Sequence, residues 1–284
     1  MTDVAAGTDA RRLARVALAE DGNRDVTSDV TVARGSVARG VLEFRSGGVP
    51  AGYACAEAVA LEVGLAAPVW HYPEGARVPA GATLGLIRGD LAAMLRAERP
   101  LLNLLQRATG IATLTRDYVD AVAATPCRIL HTRKTAPGLR ALDIAAVLAG
   151  GGTLHRVDLE RAVMVKDNHW RALRRSGRSL AEALDAARKL GVTSLQVEVE
   201  QEEQLDLACG AGATRLLIDN QTVATVRRWA ARARALRAGI EIEATGGINL
   251  ANAREYAMAG VDFISVGALT HSVRAADLGL EIDF

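Results

Sequence analysis

From residue 127 onward, short apolar runs recur, and each is closed by a polar or glycine cluster. Arg128-Ile129-Leu130 precedes HTRKT, Ala162 to Val165 precedes KDNH, and Leu195 to Val199 carries Glu198 with Glu200 just beyond. Leu216-Leu217-Ile218 precedes Asp219-Asn220, Ile240 to Glu243 precedes ATGG, and Phe263 to Val266 precedes GAL. Between most of these lie helical patterns such as SLAEALDAARKLG and TVATVRRWAARARALRAG. Strands alternating with helices predict parallel strands joined by crossover helices. The spacing suits a (β/α) barrel of about six or seven strands. A doubly wound open sheet competes, but polar residues follow every strand end and not one crevice alone, which favours the barrel.

The first hundred residues mix short strands and helices. The apolar spacing predicts a helix over 10–20 with Leu13, Val16 and Ala17 on one face, and another over about 54–64. SVARGVLEFR, residues 36–45, predicts a strand, and residues 73–89 predict glycine-rich turns between short β segments. Two helices are predicted over about 91–105 and 111–123. Reactive side chains do not collect in residues 1–90, so this part is expected to be a packing domain.

Composition narrows the function. Lys plus Arg is 34 and Asp plus Glu is 33, giving a net charge of +1. That balance removes the electrostatic argument for a general nucleic-acid or membrane-surface binder. No apolar run reaches the roughly 18 residues needed to span a bilayer. The N-terminus lacks a basic head followed by an apolar block, so no secretory signal is expected. Cys55, Cys127 and Cys209 are odd in number and widely spaced, which fits buried thiols in a reducing cytoplasm. Only three of the basic residues are lysine, namely Lys134, Lys166 and Lys189. A retained ammonium is a compact point charge and is not interchangeable with a guanidinium.

In a (β/α) barrel the active site lies at the C-terminal strand ends. Read in order, these ends offer Arg133, Lys134, Lys166, Glu198, Asp219, Gly246-Gly247 and Gly267. His155-Arg156 falls between the first two cationic segments. So many cations require an anionic ligand to offset their repulsion; otherwise they form a solvated basic loop. Glu198 and Glu200 alternate with valines and share one strand face. A carboxylate aimed inward needs a cation, a metal or hydroxyls. Thr245-Gly246-Gly247 and Ser265-Val266-Gly267-Ala268 suit backbone capture of a phosphate, and His271 could help bind an anion or simply pack. GxGxxG after a strand, GxxxxGK[ST], GxSxG and HExxH are all absent from the sequence.

As a set, HTRKTAPGLRALDIAAVLAGGGTLHRVDL, AVMVKDNH, VEVE, LLIDN, EATGGI and GVDFISVGALTHS resemble segments of the quinolinate phosphoribosyltransferase family, in order. RDVTSDVTV and AERPLLNLLQRATGIATLTRDYVDAV extend the similarity over about residues 10–284. The resemblance implies an α/β protein: an N-terminal α/β sandwich domain, residues 1–112, followed by an open (β/α) barrel, residues 113–271, that carries the active site. The tail 272–284 is expected to return to the first domain. It also implies phosphoribosyl transfer from phosphoribosyl pyrophosphate to quinolinate, with Mg²⁺, giving nicotinate mononucleotide, CO₂ and pyrophosphate for NAD biosynthesis. By resemblance, Arg133, His155, Arg156, Lys134 and Lys166 line the quinolinate pocket, with Arg99 supplied by a neighbouring subunit. Glu198 and Asp219 match acids at the ribose hydroxyls and the metal-phosphate region. Thr245, Gly246, Gly247 and Gly267 match the 5′-phosphate loops, and His271 matches a residue near the pyrophosphate. No residue is assigned as a direct metal ligand with certainty; Mg²⁺ is expected through substrate phosphates, with Glu198 and Asp219 as the candidate protein ligands. The expected assembly is a cytoplasmic homodimer or hexamer with shared active sites, binding neither nucleic acid nor membrane.

Four positions depart from the family pattern. His131 stands for an Asp, Leu154 for an Asn, Asp158 for a Gly, and Gln196 for an acid. They open the alternative of a specialised paralogue acting on another pyridine-type acid. A molybdenum-transport-associated relative of the same fold is a further alternative, disfavoured by the intact Lys166-Asp167-Asn168-His169.

Overall fold

The computed structural model describes residues 3–284, with side chains from Asp9 onward. The chain runs α1 (Asp3–Glu20), α2 (Val26–Thr31), β1 (Val37–Phe44), α3 (Tyr53–Glu62), β2 (Val69–Trp70), β3 (Ala82–Asp90) and α4 (Leu91–Val122). It continues through β4 (Arg128–Leu130), α5 (Arg140–Ala149), β5 (Val163–Val165), α6 (Asp167–Ser176), α7 (Leu180–Lys189), β6 (Leu195–Val199) and α8 (Glu202–Gly210). It ends with β7 (Arg215–Asp219), α9 (Val223–Leu236), β8 (Glu241–Thr245), α10 (Ala253–Ala257), β9 (Phe263–Ser265), α11 (Ala268–His271) and β10 (Leu278–Asp283). Two compact units result. One comprises the residues to Arg116 with Thr135–Gly151 and Ala268–Phe284; the other comprises Asp117–Lys134 with Gly152–Gly267.

The first unit is built on an antiparallel sheet of order β10-β1-β3-β2. Strand alternation in β1 buries Ala38, Gly40, Leu42 and Phe44 on one face. Gly40 lets its neighbours pack close, since a Cβ would stand 2.8 Å from side-chain atoms of both Ile87 and Leu280, which would have to shift. The C-terminal β10 pairs with β1 from Arg39↔Asp283 to Phe44↔Leu278. Leu42, Phe44, Leu84, Ile87, Met94, Leu101, Leu102 and Leu105 form the buried centre. Helix α1 buries Ala10, Leu13, Ala14 and Leu18, while Val16 is half exposed. The helical stripe therefore runs one position away from the face expected from Leu13 and Val16.

Segment 135–151, which follows the first barrel strand in chain order, packs with the first unit. Arg107 forks onto the buried Asp143 through two 2.8 Å hydrogen bonds and donates a third, 3.0 Å, to the Thr270 carbonyl. Asp143 also accepts from the Ala136 N–H at 3.2 Å. A forked guanidinium–carboxylate pair with further hydrogen bonds is one of the few arrangements that makes a buried carboxylate tolerable.

The second unit is an open barrel of six parallel strands in the order β4-β9-β8-β7-β6-β5. Beside β4, the Thr153 N–H reaches the Ile129 carbonyl at 2.7 Å, adding a single bridge. The outward strand positions Val197, Val199, Leu216, Ile218, Ile242 and Ile264 are fully buried. Burial of each such side chain stabilises by roughly 1.5–3 kcal/mol, which offsets the cost of the polar interior. Inward positions follow from the register: Glu198 pairs with Leu217, Leu217 with Glu243, and Glu243 with Phe263, and two residues on Asp219 pairs with Thr245. Burial pushes the Cys55 thiol up to about 11 and the Cys127 thiol up to about 12, so neither is a nucleophile at neutral pH.

One expectation is corrected. The helices predicted over 91–105 and 111–123 are one continuous helix, α4, with Pro100 and Gly110 inside it. Gly110 does not end the helix. It allows close approach, since a Cβ there would stand 2.2 Å from the Arg274 carbonyl oxygen. A helical Gly→Ala exchange ordinarily stabilises by up to about 1 kcal/mol. Here the sign should reverse: Gly110→Ala is expected to destabilise by about 1–3 kcal/mol, measured by urea unfolding. An unchanged or raised midpoint would refute the close-approach explanation.

Candidate active site

The inward files of the barrel strands open at their C-terminal ends into a cavity of about 690 Å³. That volume lies within the range of small-molecule sites. Arg133, Lys134, His155, Arg156 and Lys166 bring nitrogen-bearing side chains to it, and Glu198, Glu200, Asp219 and Glu243 bring carboxylates. Thr245, Gly246 and Gly247 complete the lining together with Asn220, Met164, Leu217 and Ser265.

The cationic part is under-satisfied. The Arg133 Nε is buried without a hydrogen-bond partner among the described residues. Burial and the neighbouring Arg133 charge push the Arg156 guanidinium down from its ordinary value. A buried donor without a partner costs about 1–3 kcal/mol or more, and two guanidiniums held together repel. An anion placed among them relieves both penalties.

Lys166 closes β5 and caps α6, and its backbone N–H donates to His169 Nδ1 at 3.1 Å. Its Nζ donates to Glu198 Oε2 at 2.6 Å. The Trp170 indole N–H reaches back to the Glu198 carbonyl at 2.9 Å, fixing α6 to the end of β6. The lysine and the acid thus stand on adjacent strands as a charge pair at the cavity wall.

Asp219 has the opposite problem. Burial and the nearby Glu198 charge raise its carboxyl above the ordinary value, against a hydrogen bond from Asn220 and the charge of Lys166. Asn220 is held at φ 51°, in the left-handed region, and its Nδ2 donates to Asp219 Oδ2 at 2.7 Å. Gly246, at φ +81°, lies against this pair; a Cβ there would stand 2.3 Å from Asn220 Oδ1 and 2.8 Å from Asp219 Oδ1. Glycine is therefore required at 246 both for conformation and for space. Among the described residues, no group of three or more His, Cys, Asp or Glu side chains is placed to hold a metal ion. Glu198 and Asp219 are carboxylates of the chemical type that a hard divalent cation takes when it brings phosphate ligands with it.

The remaining sequence candidates lie elsewhere. Gly267 follows β9 and is not in the cavity lining. Arg99 and His271 belong to the first unit. Arg99 is largely exposed with its Nη2 on Glu98 at 2.7 Å, and His271 Nδ1 is 2.6 Å from Ser272 Oγ. Of the four departures from the family pattern, only His131 lines the cavity. Leu154 is exposed, and Asp158 turns its carboxylate to the N–H groups of Glu160 and Arg161 and to the Arg161 guanidinium.

Sequence reasoning missed Glu243, which is fully buried and bonded to His155 at 3.2 Å and to Arg215 at 3.4 Å. It also missed Asn220 and Ser265. The signal for Glu243 was present: in EIEAT it stands two residues before Thr245, so strand alternation puts both in the same inward file.

A model of the quinolinate phosphoribosyl transferase C-terminal domain matches residues 111–281, and one of the N-terminal domain matches residues 25–109. The nicotinate-nucleotide pyrophosphorylase (carboxylating) of Mycobacterium leprae is 40% identical over 283 residues, covering 96% of this chain and 97% of the relative. A mitochondrial quinolinate phosphoribosyltransferase (decarboxylating) of Nicotiana tabacum is 36% identical over 292 residues, covering 97% and 82%. The solved nicotinate-nucleotide pyrophosphorylase of Francisella tularensis superposes with a TM-score of 0.89 at 32% identity, covering 98% of this chain and 97% of that one. Both domains of one family are thus matched in order along a single chain, at an identity too high for a likeness of fold alone, and the chain belongs to the quinolinate phosphoribosyltransferase family.

Proposed function

We propose that the protein transfers the phosphoribosyl group of phosphoribosyl pyrophosphate to the ring nitrogen of quinolinate. Pyrophosphate leaves from C1′, the carboxylate next to the new bond leaves as CO₂, and nicotinate mononucleotide remains as a step of NAD biosynthesis. The observation that carries this reading is the orphaned, buried Arg133 Nε set among Arg156, Lys166 and His155 in one cavity. A planar diacid supplies the two negative charges such a pocket demands. Leu154, Asp158 and Gln196 lie outside the lining and His131 enters it as an acceptor for the His155 N–H, which supports quinolinate over a different pyridine acid.

The roles follow from charge. Arg133, Lys134, His155, Arg156 and Lys166 bind the acid and orient its nitrogen towards the sugar. Departure of pyrophosphate leaves positive charge on the ribose, which Glu198 and Asp219 stabilise. Once the nitrogen is alkylated, the pyridinium stabilises the electron pair that CO₂ leaves on the adjacent ring carbon, and a proton from water then takes the place of the lost carboxylate. The Thr245-Gly246-Gly247 turn offers backbone N–H groups to the 5′-phosphate, with Gly267 and His271 assigned to the phosphate and pyrophosphate regions. Mg²⁺ would be held by substrate phosphates with Asp219 and Glu198, and would supply charge neutralisation at the leaving group. The exposed Arg99 is assigned to the cavity of a neighbouring subunit, which makes the active form a homodimer or a larger assembly of dimers. The free, buried thiols of Cys55, Cys127 and Cys209 support a reducing, cytoplasmic setting, and no helix among the described residues is long and apolar enough to cross a membrane.

Pure protein with Mg²⁺ and both substrates should release one CO₂ per nicotinate mononucleotide formed; no product by chromatography would sink the reading. Lys134→Ala and Lys166→Ala should each lower kcat/KM on the order of 10²–10³-fold with unchanged circular dichroism. Mixed assemblies of Arg99→Ala and Lys166→Ala subunits should recover part of the activity, and verified mixed dimers without recovery would argue against sharing.

Asp219 gives a pH-dependent test. Its folded-state value is raised, so ionisation is disfavoured in the folded chain and the cost appears as pH rises past the ordinary carboxylate range. Asp219→Asn should therefore raise the neutral-pH melting midpoint by roughly 1–3 °C while turnover collapses. The gain should shrink as pH falls towards the ordinary aspartate value. A lowered midpoint at neutral pH would contradict the electrostatic account.

A further inference from the structure

His155 is held at two points by buried polar side chains. Its backbone N–H donates to His131 Nε2 at 2.9 Å. A backbone N–H can only donate, so His131 Nε2 carries no proton. The proton of that ring is on Nδ1, 3.3 Å from the Thr132 carbonyl. Fully buried beside cations, His131 thus acts on the site as an acceptor and not as another positive charge. Its ring stands edge-on to that of His155, with centroids 6.2 Å apart.

The second hold is on the ring. His155 Nε2 lies 3.2 Å from Glu243 Oε2, and both side chains are almost completely buried. Burial works to raise the Glu243 carboxyl, but hydrogen bonds from His155 and Ser265 and the charges of His155 and Arg215 hold it below the ordinary range. The carboxylate is thus an anion that can only accept, and His155 Nε2 must carry a proton. Nδ1 is left as the ring nitrogen available to a ligand in the cavity that His155 lines. If Glu243 served only to balance Arg215, Glu241 would suffice, since its Oε2 already lies 2.8 Å from Arg215 Nη2.

We infer that Glu243 is a positioning residue for the diacid: with His131 it fixes the His155 ring so that Nδ1 faces the cavity, where it donates to a substrate carboxylate once it too carries a proton, and the Glu243 charge offsets that of the doubly protonated ring. The inference rests on the proposed function and adds to it a residue that acts on the substrate through His155. Arg215 serves it from below, held in turn against the Phe263 ring at 4.1 Å. The same logic operates when a buried carboxylate sets the tautomer and orientation of a ligand-binding histidine.

The test separates a positioning role from a merely structural one. Glu243→Gln should raise the KM for quinolinate about tenfold, leave the KM for phosphoribosyl pyrophosphate within about twofold, and lower kcat little. In a His155→Gln background the same substitution should add almost nothing, because its effect passes through that ring. Equal rises in both KM values, or full additivity with His155→Gln, would overturn the inference. Histidine ¹⁵N spectra of the ligand-free wild type, assigned with His155→Gln, need no change at Glu243. They should show a proton on His155 Nε2, and a neutral ring with Nε2 bare would overturn the inference even if Glu243→Gln failed to fold. Wild-type protein that turns over quinolinate while Glu243→Gln keeps its KM removes the positioning role alone. Wild-type protein without turnover removes the functional reading and this inference with it, and the spectra then still decide the state of the pair.

Discussion

Charge taken out of water is the constraint on which the barrel depends. A carboxylate moved without partners into a low-dielectric interior costs several kcal/mol even after relaxation. Yet the inward files of this barrel hold Glu243, Glu198 and Asp219. Each finds a different solution. Glu243 is balanced from two sides by His155 and Arg215. Glu198 takes the Lys166 ammonium. Asp219 has an amide hydrogen bond from its neighbour and the more distant charge of Lys166, and burial with the Glu198 charge outweighs both. The order of these solutions, from fully balanced at depth to unbalanced at the rim, puts the uncompensated charge where a ligand or a ligand-borne cation can reach it.

The cations follow the same gradient. Arg215 is consumed at depth, between two glutamates and against Phe263. Lys166 is half consumed, paired yet partly exposed. Arg133 and Arg156 repel one another, and one keeps a buried donor without a partner. A protein selected only for stability would replace such a cluster with apolar packing, which is often neutral or stabilising. The barrel can carry it because the outward strand faces, with Val197, Leu216, Ile218, Ile242 and Ile264 fully buried, supply the stability that the interior does not.

Much of this was legible in the sequence. The parallel barrel followed from apolar runs alternating with helical patterns, and the cationic strand ends followed from Arg133, Lys134 and Lys166 falling directly after those runs. What failed did so for identifiable reasons. Gly110 reads as a helix break by propensity, but a tertiary contact with the Arg274 carbonyl explains it better. Val16 reads as a core position, but the stripe that buries Leu13 and Leu18 rotates it outward. Glu243 was passed over because acids alternating with apolar residues, as Glu241 and Glu243 do in EIEAT, read as strand texture. Its spacing from Thr245 gives the inward file, and the register, which aligns it with Leu217 and Phe263, places it at depth.

Pairing of this kind cannot be read along the chain, because its partners are far apart in it. His155, Glu243, Arg215 and His131 come from four separate parts of the barrel. Each residue alone has an unremarkable reading as a packed histidine, a strand acid or a helix-facing arginine. The chemistry is assigned only when donor and acceptor bookkeeping is carried around the set. A backbone N–H forces one histidine to be an acceptor, a buried anion forces the other to be a donor, and the cavity receives the one nitrogen left over. The same bookkeeping separates the departures that matter from those that do not. His131 sits inside this chain of constraints, whereas Leu154 and Asp158 satisfy themselves in solvent or in their own loop. A substitution near a catalytic pair in sequence is therefore no guide to its effect; whether its polar atoms enter the same closed account of donors and acceptors is.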